Sequence, residues 1–160
     1  MPTISFSFRD FQELLGRRLP VDEFGELVTL YAKGEVEGYD STTSNMKIAL
    51  DDTNTPYMWC VEGLARFFRG VLGIEKGLPK FTTAESNRKI LVDGSVKRVR
   101  PFIAAFVAEG RNIDSYLLEQ LIQLQEKFCE SYGRSPCRLS LSARHRPRSP
   151  NASTAWRSAG

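Results

Sequence analysis

Thr3-Ile4-Ser5-Phe6-Ser7-Phe8-Arg9-Asp10-Phe11-Gln12-Glu13-Leu14-Leu15-Gly16 changes its hydrophobic period part-way along, and that change decides the fold class. Ile4 and Phe6 alternate with polar Thr3, Ser5 and Ser7, the period of a half-buried strand. From Phe8 onward the apolar residues fall at Phe8, Phe11, Leu14 and Leu15, one face of a helix. At the junction, Ser7-Phe8-Arg9-Asp10 places a carboxylate three residues after a hydroxyl, the capping-box spacing that opens a helix. Gly16 stands where that helix should stop, because glycine enters the left-handed cap conformation without steric cost. A strand running straight into a helix predicts a mixed α/β chain of the α+β kind.

The pattern continues on both sides of a polar linker. Pro20 can open a second helix, with Phe24, Leu27, Val28 and Tyr31 at helical spacing. Glu35–Asp40 and Met46–Leu50 read as two short strands joined by the polar turn Ser41-Thr42-Thr43-Ser44-Asn45. A third helix carries Val61, Leu64, Ala65, Phe68, Val71 and Leu72 on one stripe, with Arg66 and Arg69 off it. The polar stretch from Gly73 to Arg88 marks a domain boundary near residue 80. Beyond it, Ile90–Val92 and Phe102–Ala108 read as strands, the second apolar on both faces as in a strand buried within a sheet. Asp114 is a suitable N-cap for a helix from Ser115 to Tyr132. Its stripe of Leu117, Leu121, Leu124 and Phe128, widened by Leu118 and Ile122, is expected to need cover. The expected organisation is a first domain over 1–80 with three helices and short strands, a second module over 81–134, and a tail over 135–160.

The net charge of +3 averages two unlike regions. Residues 1–130 hold 16 Lys and Arg against 19 Asp and Glu, whereas residues 131–160 hold six Arg and no acid. The segment 135–160, rich in Ser, Arg and Pro, cannot bury a core, and disorder is its physical expectation. No apolar run approaches the ~18 residues that cross a bilayer. Met1-Pro2-Thr3-Ile4 lacks the basic-then-apolar pattern of a secretory signal, so no membrane partner and a cytoplasmic location are expected. Cys60, Cys129 and Cys137 share no CxxC spacing and His145 is the only histidine, so no metal site is expected.

Three stretches together resemble one family. They are Pro2-Thr3-Ile4-Ser5-Phe6-Ser7 leading to Leu14-Leu15-Gly16, then Val61-Glu62-Gly63-Leu64-Ala65-Arg66 through Arg69-Gly70-Val71-Leu72-Gly73-Ile74-Glu75-Lys76-Gly77-Leu78-Pro79. The third is Val99-Arg100-Pro101-Phe102-Ile103 followed by Leu121-Ile122-Gln123-Leu124-Gln125-Glu126-Lys127. Their order and spacing resemble the amino-terminal part of the β subunit of archaeal and eukaryotic phenylalanyl-tRNA synthetases, over residues 1 to about 134. Where that family typically carries Asn-Arg-Pro-Asp, Asn54 and Pro56 match but Thr55 and Tyr57 depart. A turn rigidified by Pro56 ahead of a helix is the reading that survives. After Gly133-Arg134 the likeness ends, and residues 135–160 have the composition of a G+C-rich gene read out of frame.

The resemblance implies a subunit of phenylalanine–tRNA ligase, which joins phenylalanine to its tRNA using ATP and Mg²⁺ and works as an αβ heterotetramer. It implies a first domain of winged-helix-like architecture, with residues 81–134 beginning a tRNA-editing module. It also places the aminoacylation site on the α subunit and the editing site downstream, so this chain alone should be catalytically silent. The residues themselves agree: Asp51-Asp52 reads as a solvated turn, Gly70-Val71-Leu72-Gly73 lacks phosphate-loop spacing, and Cys60 has no histidine in the ordered part to activate it. Candidate RNA contacts are Arg66 and Arg69 on the third helix, flanked by Lys76 and Lys80, and the knot of Lys97, Arg98 and Arg100. The alternative for each group is a solvated helix face or a charged linker. A reading from another class is a stand-alone nucleic-acid-binding module with a basic disordered arm. The out-of-frame origin of the tail is checked by sequencing the gene across the codon for Arg134: a shift of one or two nucleotides is expected, and a single open frame in the native genome contradicts it.

Overall fold

Strand β1 (Thr3–Ser7) passes without a break into helix α1 (Phe8–Leu15). Ser7 is at once the last residue of the strand and the N-cap of the helix, its hydroxyl accepting from the Asp10 amide at 3.3 Å. Gly16 closes α1 in the left-handed conformation, φ 75°, with its amide donating to the carbonyls of Gln12 and Glu13. These features belong to a computed structural model that describes residues 2–52, 54–78, 82–85, 87–98, 101–108 and 113–132. The expectations for the tail 135–160 lie outside the described residues.

Helix α2 (Val21–Leu27) follows, with Pro20 just outside it as N-cap, and runs into a π turn over Val28–Ala32. Strands β2 (Gly34–Asp40) and β3 (Asn45–Leu50) form the expected hairpin, and helix α3 (Val61–Val71) comes next. The sheet is antiparallel in the order β1-β3-β2, so β3 is central and β1 and β2 are edges. Ile4, Phe6, Met46, Ile48 and Leu50 face the helices and are buried. There they meet Phe8, Phe11, Phe24 and Phe68, whose rings interlock; Phe11 and Phe24 lie 4.8 Å apart and Phe24 and Phe68 5.8 Å. Each fully buried phenylalanine contributes roughly 1.5–3 kcal/mol of transfer free energy. The turn before α3 is a 3-10 turn over Pro56–Met58. It brings the Tyr57 carbonyl against Gly63, where any side chain would collide with it.

The chain divides into two compact units, and the described residues of the first are 2–52, 54–78 and 113–132. Helix α4 (Ser115–Lys127), N-capped by Asp114 as expected, therefore lies in the first unit. Leu124 and Phe128 pack against the core, while Leu118 and Ile122 stay 42% and 46% exposed. The most buried residue of the helix is Gln120. It faces inward because β1 is an edge strand whose backbone groups need partners. Ser5 donates its amide to Gln123 Oε1 at 2.8 Å, and its carbonyl accepts from Gln120 Nε2 at 3.0 Å and Gln123 Nε2 at 3.1 Å. One turn of helix away, the Tyr116 hydroxyl accepts from the Ser7 amide at 3.1 Å and donates to Asp10 Oδ2 at 3.2 Å. Tyr116 thus stands between the two ends of the capping box.

The second unit is described over 82–85, 87–98 and 101–108. Its regular structure there is a 3-10 turn over Gly94–Arg98, opened by Asp93, whose carboxylate accepts from the Ser95 amide at 2.8 Å. The strands expected at Ile90–Val92 and Phe102–Ala108 are not formed, and Phe102 and Phe106 are exposed. A strand requires a neighbour to complete its ladder, and none of the described residues pairs with either segment.

Tyr116 supplies a direct check on the packing of α4. Burial, followed by the nearby Asp10 charge, pushes its phenol up from the ordinary 10.0 to about 12. The fold therefore favours the neutral phenol, and this contribution is complete below pH 10 and lost as pH rises through about 12. Tyr116→Phe should lower stability at neutral pH by about 1–2 kcal/mol, because the Ser7 amide loses its acceptor. It should also remove the Tyr116 share of the alkaline loss. Thermal scans from pH 7 to 12 check both, and identical curves for the two proteins contradict the arrangement.

Candidate nucleic-acid interface

Helix α3 presents one face to the core through Val61, Leu64, Ala65 and Phe68, which leaves Arg66 and Arg69 toward its flanks. The two arginines have different surroundings. Arg69 is half-buried, its guanidinium Nη1 donating to the carbonyls of Leu14 at 3.3 Å and Leu15 at 3.2 Å. Its Nε pairs with Glu75 at 2.9 Å. Those two carbonyls belong to the last turn of α1, where no further helical amide can reach them. Arg69 therefore ties the end of α1 to α3 and to the turn beyond it. The Gly16 Cα adjoins this contact, since a side chain there would sit 3.4 Å from the Arg69 guanidinium.

Arg66 is exposed and lines a shallow depression of about 270 Å³ with Gly70, Glu75, Lys76 and Gly77. Lys76 brings a second positive charge to that depression and Glu75 a negative one shared with Arg69. Lys97 and Arg98 are exposed at the end of the 3-10 turn in the second unit, while Lys80 and Arg100 lie outside the described residues. Each unit therefore presents a basic group to solvent, Arg66 with Lys76 in the first and Lys97 with Arg98 in the second.

The remaining chemical candidates are structural in their surroundings. Cys60 is the N-cap position of α3, and burial pushes its thiol up, away from the nucleophilic thiolate. Its Sγ lies 3.9 Å from the Tyr57 carbonyl. Asp52 forms an exposed pair with Lys33 at 3.5 Å. Among the described residues no cluster of His, Cys, Asp and Glu has a geometry that could hold a metal ion. No described helix is long and apolar enough to cross a membrane. The inward polar stripe of Tyr116, Gln120 and Gln123 escaped the sequence reading. Its signal was present in the i, i+4, i+7 spacing of three hydrogen-bonding side chains.

No protein-family model matches the chain. Curated proteins do. The phenylalanine–tRNA ligase β subunit of Pyrococcus horikoshii is 40% identical over 136 residues, covering 84% of this chain and 24% of its own length. That of Pyrococcus furiosus is 41% identical with the same coverage. That of Borreliella burgdorferi is 34% identical over 146 residues, covering 88% of this chain and 26% of its own length. The crystal structure of an N-terminal fragment of the phenylalanyl-tRNA synthetase β subunit from Pyrococcus horikoshii matches with a TM-score of 0.72 at 38% identity. The chain belongs with the amino-terminal regions of phenylalanyl-tRNA synthetase β subunits. That match covers 83% of this chain and 39% of the solved one, and it shares the mixed α+β architecture. The chain spans about a quarter, 24%, of the length of the Pyrococcus β subunits it matches.

Proposed function

We propose that the chain acts as the amino-terminal, structural and tRNA-facing piece of a phenylalanine–tRNA ligase β subunit, and that it neither charges nor edits tRNA by itself. The observation that carries this reading is the shared fold with the solved amino-terminal fragment at 38% identity. In this reading the whole enzyme attaches phenylalanine to its tRNA with ATP and Mg²⁺ and assembles with an α subunit into an αβ heterotetramer in the cytoplasm. In sequence, residues 81–134 lead into its editing module, and residues 1–80 form a domain akin to winged-helix nucleic-acid binders onto which α4 folds back. Of the basic residues, Arg66, Lys97, Arg98 and Arg100 meet tRNA phosphates through sequence-independent contacts, each removing a counterion when it does so. Arg69 supports the surface from within, because its guanidinium is occupied by α1 carbonyls and Glu75. The net +6 of residues 131–160 favours a second reading, a stand-alone nucleic-acid binder whose affinity resides in a basic arm.

Equilibrium binding to phenylalanine tRNA across a salt series separates these readings. Arg66→Ala and the pair Lys97→Ala/Arg98→Ala should each weaken binding several-fold and flatten the salt slope by about one unit per charge removed. Arg69→Met should lower the melting temperature, by about 1–3 kcal/mol of stability, and leave the affinity of the folded protein nearly unchanged. The chain alone should not charge tRNA, with or without ATP and Mg²⁺. Charging by the chain alone overturns the reading, and loss of all RNA affinity on removing residues 135–160 favours the stand-alone binder.

A further inference from the structure

At the β2 edge of the sheet, an open groove of about 810 Å³ runs between α2 and β2. Val21, Leu30 and Val36 give it an apolar lining, and Asp22 and Glu26 rim it. Leu30 is 70% exposed, an unusual state for a large aliphatic residue next to other apolar side chains. The groove stays open because Gly25 has no side chain; a Cβ there would reach only van der Waals contact, 3.8 Å from Val36 Cγ2.

Strand β2 borders the groove and is an edge of the sheet, so one side of its backbone offers amides and carbonyls to a further strand. The other edge, β1, is closed by the glutamines of α4, whereas none of the described residues closes β2. The charge along this open edge has one sign. Asp22, Glu26 and Glu35 have no ion-pair partner among the described residues, and of the acids on β2 Glu37 is paired to Lys47 at 2.8 Å.

We propose that the β2 edge and its groove are a docking site for an extended segment of a partner polypeptide that alternates basic and apolar side chains. The segment adds as a fourth strand. Its backbone completes the β2 ladder, its apolar side chains enter the groove beside Leu30 and Val36, and its cations, which alternate to the other face, meet Glu35. A second copy of this chain is the wrong occupant, because pairing β2 with itself would set Glu35, Glu37 and Asp40 against their own counterparts. A nucleic acid is excluded by the same carboxylates. The site shares no lining residue with the Arg66 depression and does not depend on the synthetase reading.

The test uses the 160-residue chain, isotopically labelled, with an acetylated peptide of alternating lysine and valine as probe. A glutamate–valine peptide of equal length is the control. The lysine–valine peptide should shift α2 and β2 resonances, slow exchange at the outward amides of β2, and bind more weakly as salt rises. The control should not bind. Gly25→Leu, which fills the groove, should reduce affinity at least ten-fold with no loss of melting temperature. Leu30→Ser, at an exposed position, should do the same without changing the charge if the first variant folds poorly. Glu35→Lys, on the face where the cations fall, should transfer preference to the glutamate–valine peptide. Shifts outside α2 and β2, equal binding of both peptides, or unchanged affinity in the groove variants overturns the proposal. Binding that emerges only after residues 135–160 are removed also overturns it, because the occupant is then this chain's own basic tail.

Discussion

Ser7 is the point through which four elements are tied. Its backbone closes the β1–β3 ladder opposite Asn45, and its hydroxyl caps α1. Its amide turns outward to Tyr116 of α4. The next residue, Phe8, donates its amide to Ser44 in the β2–β3 turn at 2.7 Å and sends its ring into the phenylalanine cluster. A strand-to-helix junction with no loop leaves no slack, so the direction of α1 follows from the register of β1. That direction sets where Phe11 and Leu15 enter the core and where the carbonyls of Leu14 and Leu15 emerge for Arg69.

The same economy explains how the two edges of the sheet differ. An edge strand exposes a row of unpaired backbone groups, and leaving such groups buried without partners costs about 1–3 kcal/mol each. At β1 the row is satisfied by amide side chains, which offer a donor and an acceptor on one short arm and so imitate a neighbouring strand. At β2 it is left to solvent under a row of carboxylates, a common defence against unwanted pairing of like chains. One edge is thereby used to hold the fold together, and the other remains available.

Much of the fold was legible because its local signals agree. The change of period at Ser7, the glycine at 16, the hairpin around Ser41–Asn45 and the stripe from Val61 to Leu72 each mark one element, and all of them form. The placement of α4 was not legible. Its leucines advertise an apolar face, yet the residue buried deepest is Gln120, because the surface it meets is a strand edge that needs hydrogen bonds as well as apolar cover. Phe102–Ala108 misled for the converse reason: apolar composition gives a strand its appetite for burial, but only a neighbouring strand gives it structure. Of the basic candidates, residue type alone could not separate Arg66 from Arg69. They lie three residues apart, and only the position of the α1 carbonyls distinguishes a clamp from a surface charge. Family membership was the most legible part, since it rests on ordered motifs spread along the chain, whereas individual contacts depend on side-chain directions that no motif records.

The central structural claim is that α4 belongs to the first unit and completes β1 through its side chains. Residue-resolved hydrogen exchange on the native chain tests it most directly. The Ser5 and Ser7 amides, bonded to Gln123 and Tyr116, should exchange as slowly as the amides inside the β1–β3 ladder. Exchange of these two amides at the rate of an open strand edge, with the ladder amides still protected, would contradict the account.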